Sequence, residues 1–188
     1  MIARLGALGL LAVSVTLSAC DLSSADATPA PLHAAAAVPS SACPGAQGYQ
    51  HATLGYRVCY PAGWVMRDYT AEPGGGGALS VVAFGPQLPL HVPNQAGFEP
   101  PLDVRVVAGA KEALEASLTQ GNQVTSETVA GQVADRISVT QDGPAMGELI
   151  VILQHDANTY ALEKAPGDAY QAEFDAFVHS FVFAQPSG

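Results

Sequence analysis

The sequence predicts an α+β fold in which an antiparallel β-sheet of about six strands is flanked by α-helices. Residues 123–164 contain four strand-like segments joined by links of only a few residues. Links this short join antiparallel neighbours, because a parallel crossover takes a dozen residues or more. Residues 102–106 alternate between apolar and charged, as a half-buried strand does, and two further segments have apolar residues at helical spacing.

The first strands are expected near the start of the folded domain. In residues 56–60 the larger apolar side chains alternate, and Pro, Ala and Gly at 61–63 end that strand. Residues 64–66 resume it, which predicts a compact, hairpin-like start. Residues 78–84, with two adjacent valines, predict the next strand.

The clearest alternation follows a long loop. Residues 102, 104 and 106 are apolar and predict a face on the core, whereas Asp103 and Arg105 predict a face in water. A helix is expected over residues 110–120, with Gly121 as its C-terminal cap.

The next four segments predict a meander. Residues 123–129 and 132–140 flank a tight turn at Ala130 and Gly131, and Asp142 and Gly143 favour a second turn. Residues 148–154 are nearly all apolar, as in a strand covered on both faces. A short turn at 156–158 leads into the last strand.

The chain closes with a predicted helix. Asp168 is suited to be its N-cap. Its aromatic and apolar residues form one stripe that is expected to pack on the sheet: Tyr170, Phe174, Phe177, Val178 and Phe181.

The amino terminus carries an export signal. Arg4 precedes a short apolar run that ends in Leu-Ser-Ala-Cys at residues 17–20. This stretch resembles the lipobox of bacterial lipoproteins, which implies cleavage before Cys20 and fatty acylation of that cysteine with diacylglycerol and palmitate. Asp21 resembles the inner-membrane retention signal of enteric bacteria. An uncleaved membrane anchor and plain secretion are the alternatives, but the apolar run is shorter than the ~20 residues of a membrane span.

The predicted organisation therefore has three parts. Residues 1–19 form the signal peptide, residues 20–42 form the lipidated cysteine and an Ala/Ser/Pro-rich tether, and residues 43–186 form one domain. The tether lacks the large apolar side chains that would offset its ordering entropy. The chain has 188 residues and a formal charge of −10, so phosphate binding is disfavoured and no nucleic-acid partner is expected.

Cys43 and Cys59 remain once Cys20 is lipidated. Outside the cytoplasm such a pair is expected to form a disulfide. A redox pair would have the Cys-x-x-Cys spacing, and two cysteines with distant histidines do not have zinc-like spacing, so no metal site is predicted.

Residues 85–101 contain five prolines and no regular period. At seventeen residues the loop exceeds an ordinary connection, and such loops are functional or poorly ordered. Its candidate partner-binding residues are His91, Asn94, Phe98 and Glu99.

Three short motifs carry a further resemblance. Tyr-Pro-Ala-Gly-Trp at residues 60–64, Val-Ala-Gly at 129–131 and Phe-Val-His-Ser-Phe at 177–181 together resemble the PsbP-like fold, which includes PsbP, DcrB, LpqN and a nuclear-import accessory factor. The resemblance implies an antiparallel sheet with helices on its faces. It implies binding and assembly, with no catalytic residues and no cofactor.

The expected function is therefore a lipid-anchored binding or assembly-accessory module, which contacts a protein of the bacterial cell envelope and is not an enzyme. A carrier of a small ligand or metal and an undetected hydrolase are the alternatives. The serines lack a Gly-x-Ser-x-Gly elbow, and His155 is followed by Asp156 with no serine nearby. Adjacent residues of a strand point to opposite faces. A metal centre would have to gather histidines from distant positions, namely His51, His91, His155 and His179.

Overall fold

In the computed structural model, residues 42–72, 76–93 and 98–183 are described. These residues form ten strands and two helices, in the order β1 (Ala46–Gln50), β2 (Tyr56–Pro61), β3 (Val65–Asp68), β4 (Ser80–Gly85), β5 (Leu102–Ala108), α1 (Lys111–Leu118), β6 (Gln123–Val129), β7 (Gln132–Ser138), β8 (Leu149–His155), β9 (Asn158–Lys164), α2 (Gln171–Ser180) and β10 (Val182–Phe183).

The strands form two sheets, and every strand pairing is antiparallel. The larger sheet has seven strands in the order β3-β4-β5-β9-β8-β7-β6, and the smaller has three in the order β1-β2-β10. The α+β prediction is confirmed, but with ten strands in two sheets in place of about six in one. The meander prediction is also confirmed, because β6 to β9 are neighbours in chain order.

Two turns set the register of the meander. Ala130 and Gly131 have φ values of 51° and 76°, so the chain reverses within two residues between β6 and β7. Asp156, with a φ of 52°, begins the turn between β8 and β9. Positive φ at such positions matches the right-handed twist of the strands they join.

The main core lies on one face of the seven-stranded sheet. There the sheet packs against α2 and the three-stranded sheet, and the buried cluster includes Tyr56, Phe84, Leu162, Phe174 and Phe177. The predicted aromatic stripe is confirmed at its buried members, because Phe174, Phe177, Val178 and Phe181 all join this cluster.

The second face of the same sheet is covered at two places. The helix α1 covers a patch formed by Ile137, Ile150, Ile152 and Ala161. Leu88, Val92 and Phe98 of the loop at residues 85–101 cover Val81 and Ala83 on β4. The sheet surface between these two covers holds the charged residues described below.

Five local expectations were wrong. The strand β1 was not predicted, and β3 pairs with β4 in the larger sheet, so residues 56–66 are not a hairpin. Asp168 is not the N-cap of α2, because the helix begins at Gln171 with Tyr170 as its cap. Asp103 does not face water, because only 5% of it is exposed. The helix predicted over residues 110–120 is confirmed as α1, but it ends at Leu118 with Thr119 as its C-cap, so Gly121, with a φ of 79°, is not the predicted cap.

Candidate functional site

The described residues of the loop at 85–101 pack against Tyr69 and the strand β4. The Tyr69 hydroxyl donates a hydrogen bond to the Pro89 carbonyl oxygen at 2.6 Å. The Phe98 ring meets the Tyr69 ring edge-on with 5.9 Å between centroids. Together with Val81 and Ala83, these aromatic rings form a small apolar cluster beneath the loop. The described part of the loop is therefore held in a defined position by its contacts with the rest of the domain.

The structure does not bring the predicted loop residues into one site. His91 Nδ1 lies 2.9 Å from Glu72 Oε1, at the surface. Phe98 packs in the apolar cluster under the loop, and Glu99 is exposed beside a group of buried charges. Asn94 lies outside the described residues. Two of the four predicted residues therefore hold the loop in place.

Leu90 is the exposed apolar residue of this loop. Its exposed fraction is 74%, the highest among the large hydrophobic residues that the structure describes. Both of its neighbours are held, since Pro89 accepts the Tyr69 hydrogen bond and His91 contacts Glu72. The fold therefore presents an apolar side chain to solvent from a fixed backbone. The sequence offered one signal for Leu90: it is a large apolar residue among prolines, in a segment without the period of a strand or a helix.

A group of charged residues lies between the loop and α1. We call it the acidic cleft and define it by the carboxyl groups of Glu99, Asp103, Glu148 and Glu163 and the cations Arg105 and Lys164. Two adjoining cavities of about 90 Å³ each open here, and Asp103, Arg105, Phe98 and Pro100 line both.

Strand pairing places the carboxyl groups. Asp103 on β5 lies directly opposite Glu163 on β9, and the alternation of β5 turns Asp103 away from the core face formed by Leu102 and Val104. Like charges directly opposite each other are destabilising. The cleft is therefore a place where the fold tolerates an unfavourable pairing.

Glu148 enters the cleft from the loop before β8. Its backbone N–H donates to the Ala145 carbonyl at 3.0 Å, and the Gly167 N–H donates to the Met146 carbonyl at 3.0 Å. A Cβ on Gly147 would lie 2.8 Å from the Gly167 backbone nitrogen, so only glycine allows this approach. These contacts fix Glu148 beside the end of β9.

The two cations of the cleft are half as many as its carboxyl groups, and among the described residues they form one long ion pair with them. Arg105 Nε lies 3.9 Å from Glu163 Oε1, at the outer limit of an ion pair. The buried Lys164 amine instead donates to the carbonyl oxygens of Ala165 and Gly167, at 2.7 and 2.6 Å. Asp103 has no hydrogen bond or ion pair to any described residue.

The pKa values of the cleft reflect this balance. Burial, and then the neighbouring Glu163, raise the pKa of Asp103 well above its ordinary range. Burial, with Glu163 and Glu99 nearby, raises the pKa of Glu148 to about 7. Burial also raises the pKa of Glu163 against the opposing effect of Arg105. The cleft therefore holds protons that free carboxyl groups would release.

The pair His155 and Asp156 lies at a different cavity. The His155 ring stacks on Phe183 with 3.6 Å between centroids, and its Nε2 lies 3.7 Å from Asp156 Oδ2. The two side chains approach each other because Asp156 lies in the turn after β8, contrary to the expectation of opposite faces. The cavity measures about 350 Å³, and Tyr160 on its wall donates to the Leu54 carbonyl at 3.2 Å.

In the described part of the chain, no three His, Cys, Asp or Glu residues are grouped so that they could hold a metal ion. The histidines considered as ligands lie apart. His155 stacks on Phe183, His91 contacts Glu72, and His179 Nδ1 lies 2.7 Å from the Asp175 carbonyl. His51 Nδ1 accepts from the Leu54 N–H at 3.2 Å.

The predicted disulfide is confirmed. Cys43 and Cys59 are bonded, with their Cα atoms 5.6 Å apart. The bond joins the segment before β1 to β2, beside a groove of about 300 Å³ that is lined mainly by Ala46, Tyr60, Ala172 and Ala176. Cys20, the predicted lipidation site, and Asp21 lie outside the described residues. Neither described helix is long and apolar enough to cross a membrane.

Several solved structures are similar to this chain. The solution structure of cyanobacterial PsbP (CyanoP) from Synechocystis sp. PCC 6803 aligns with a TM-score of 0.44 and 14% sequence identity, over 74% of this chain and 93% of that one. No family model matches the sequence, and no curated protein matches it.

Proposed function

We propose that this chain is a lipid-anchored, extracytoplasmic accessory protein whose domain docks onto a protein of the bacterial cell envelope. Docking takes place through the loop at residues 85–101, with Leu90 as the apolar anchor. The anchor to the membrane is the acylated Cys20, and Asp21 favours the inner membrane. The activity is binding, without catalysis.

The export part of the proposal is supported by the sequence and by the disulfide. Residues 17–20 have the lipobox pattern, and the segment that follows has the composition of a tether. The disulfide between Cys43 and Cys59 is of the kind that persists outside the cytoplasm. A lipid with more than one acyl chain gives stable attachment without a membrane-spanning helix.

The docking part is carried by one observation, the exposure of Leu90 on a fixed loop. A large apolar side chain in water is a source of binding free energy, because its burial contributes ~1.5–3 kcal/mol. Side chains of this kind act as interface anchors when they insert into a pocket of the partner. The hydrogen bond from Tyr69 to Pro89 orders the backbone next to Leu90 before the partner binds, so binding costs little conformational entropy in the loop.

The test compares two exposed apolar residues. The full-length tagged chain is expressed in its own envelope, cross-linked, solubilised in detergent and recovered, with and without Leu90→Ala. Val133→Ala is the matched control, because Val133 is also exposed, at 68%, but lies on β7, outside the loop. Shortening the whole loop is a poorer test, since that would uncover the cluster around Tyr69.

We expect one defined partner with the wild type and with Val133→Ala, and about tenfold less of it with Leu90→Ala, which corresponds to ~1.4 kcal/mol. Circular dichroism should show the same melting temperature for all three proteins. Equal recovery with Leu90→Ala, or recovery of no partner by any form, would refute the proposal.

A further inference from the structure

We propose that the acidic cleft is a binding site for one basic side chain, arginine or lysine, of the docked partner. This inference rests on the proposed function and adds to it the chemistry that the partner must present. The occupant is a guanidinium or ammonium group on a polypeptide, which enters between Phe98 and the carboxyl groups of Asp103 and Glu148.

The central observation is the state of Asp103. Only 5% of this residue is exposed, yet its carboxyl group has no hydrogen-bond or ion-pair partner among the described residues. Buried polar side chains in folded proteins nearly always have a partner. Asp103 lines both of the adjoining cavities. An unpartnered acceptor at the base of an open cavity is suited to receive a donor from another molecule.

The charge of the cleft selects a cation. Glu99, Asp103, Glu148 and Glu163 bring four carboxyl groups together, and Lys164 is committed to two backbone carbonyl oxygens. Arg105 approaches Glu163 only to 3.9 Å. The raised pKa of Glu148, about 7, has the same origin, because burial and the nearby Glu163 and Glu99 disfavour its negative charge. A bound cation would relieve this repulsion.

The spacing favours an organic cation over a metal ion. A metal requires several ligand atoms to converge within ~2.0–2.6 Å of one point, and no group of three acidic residues does so in the described part of the chain. A guanidinium carries five N–H donors that point outward in a plane, so it can reach carboxyl groups that are farther apart.

The size favours a single side chain over a whole metabolite. Each cavity measures about 90 Å³, well below the ~300–1,000 Å³ of typical small-molecule sites. The Tyr69 and Phe98 rings form the apolar side of one cavity. An aliphatic stem and a cationic head match such a wall, because long basic side chains bury their stems and aromatic faces attract cations.

Binding of a cation is coupled to the protons of the cleft. Glu148, with a pKa of about 7, is partly protonated at neutral pH, and the pKa of Asp103 is also raised. A cation favours the ionised carboxylates, so its binding releases protons and strengthens as the pH rises. Arg105 and Lys164 face the same carboxyl groups, and burial lowers the pKa of Lys164, so a loss of its charge at higher pH would also favour the incoming cation.

The experiment titrates the isotope-labelled protein by NMR with Nα-acetyl-arginine amide and Nα-acetyl-lysine amide. Nα-acetyl-citrulline amide is the neutral control ligand, since it has nearly the shape of the arginine probe without its charge. The protein variants are Asp103→Asn and Glu148→Gln. Asp142→Asn is the control variant, because it removes the same charge from an exposed turn outside the cleft.

We expect the two cationic probes to shift backbone signals near residues 98–105 and 148, and the citrulline probe to shift none. Affinity should be about tenfold lower in Asp103→Asn and in Glu148→Gln, unchanged in Asp142→Asn, and higher at pH 8 than at pH 6. If Asp103→Asn fails to fold, Glu148→Gln carries the comparison. Equal shifts with the citrulline probe, or shifts that both cleft variants retain, would overturn the inference.

The partner assay separates the two proposals. If the partner is recovered through Leu90 but equally well by Asp103→Asn and Glu148→Gln, docking stands and the cleft inference fails. If no partner is recovered, the proposed function fails, and the cleft loses its role in docking even if a probe binds there.

Discussion

Asp103 on β5 and Glu163 on β9 face each other directly across two neighbouring strands of the seven-stranded sheet. Both carboxyl groups have raised pKa values, chiefly because they are buried. Glu148 adds a third such group, with a pKa of about 7 in place of 4.5. The folded domain therefore binds protons more tightly at this place than the unfolded chain does.

The first prediction concerns stability against pH. Between pH 4.5 and about 7, Glu148 has lost its proton in the unfolded chain but retains it in the folded domain. The contribution of this group to the free energy of unfolding is thus complete below pH 4.5 and is lost as the pH rises through 7. The raised pKa values of Asp103 and Glu163 also lower the free energy of unfolding as the pH rises. Asp135 has the opposite effect, because the hydrogen bond from Lys111 lowers its pKa.

Glu148→Gln should flatten this dependence, because glutamine has no proton to lose. We expect the variant to match the wild type at pH 4 and to melt about 3 °C higher at pH 8. Thermal unfolding followed by circular dichroism across this range is the measurement. Asp142→Asn, which alters an exposed turn, should leave the curve unchanged. A Glu148→Gln curve that parallels the wild type would refute this account of the cleft.

The second prediction concerns the join between α2 and β2. The Ser180 hydroxyl accepts the Cys59 N–H at 2.8 Å and donates to the Phe177 carbonyl at 2.8 Å. Ser180→Ala leaves a part-buried N–H without its acceptor, at a cost of ~1–3 kcal/mol. Ser117→Ala is the control, because its hydroxyl makes only the equivalent bond to Leu114 within α1. Urea denaturation should show the loss in Ser180→Ala alone, and equal midpoints would contradict the role given to Ser180.

The third prediction concerns the disulfide. Replacing Cys43 and Cys59 with serine should lower the free energy of unfolding by ~3 kcal/mol, because the unfolded chain is no longer constrained by the loop. Dithiothreitol should bring the melting temperature of the wild type down to that of the double variant and should leave the variant itself unchanged. A wild type that melts at the same temperature with and without the reductant would show that the bond does not stabilise the domain.

Local patterns were sufficient to predict the meander and the two helices. The turn at Ala130 and Gly131 and the apolar strand β8 can each be predicted from a few consecutive residues. The strand β1 cannot be predicted in this way, because Ala46–Gln50 has little apolar alternation. It forms a strand by pairing with β2 beside the disulfide. Tyr170 caps α2 with a φ of 62°, and nothing in the sequence favours it over Asp168.

The candidate site was the least predictable part. Asp103 alternates with apolar neighbours as a solvent-facing residue would, but it is buried because the loop that precedes β5 lies over that face. Its pairing with Glu163 joins residues sixty positions apart. Of the four loop residues chosen from the sequence, Phe98 and Glu99 border the acidic cleft, whereas His91 contacts Glu72 and Asn94 lies outside the described residues.

The fourth prediction concerns the membrane anchor. Intact-mass spectrometry of the protein purified from its native envelope should give a chain that begins at Cys20 and carries the added mass of a diacylglycerol and an amide-linked fatty acid. Cys20→Ser should abolish that added mass and release the protein from the membrane fraction. A chain that still begins at Met1, or one without lipid, would refute the anchor.

The central claim, docking through the fixed loop, is tested most directly by placing a photo-cross-linking amino acid at position 90 in the full-length chain. Illumination of intact envelopes should join position 90 to one defined protein, whereas the same amino acid at position 133, on β7, should give no such product. The absence of a product at position 90, or the same product from both positions, would contradict the proposed docking surface.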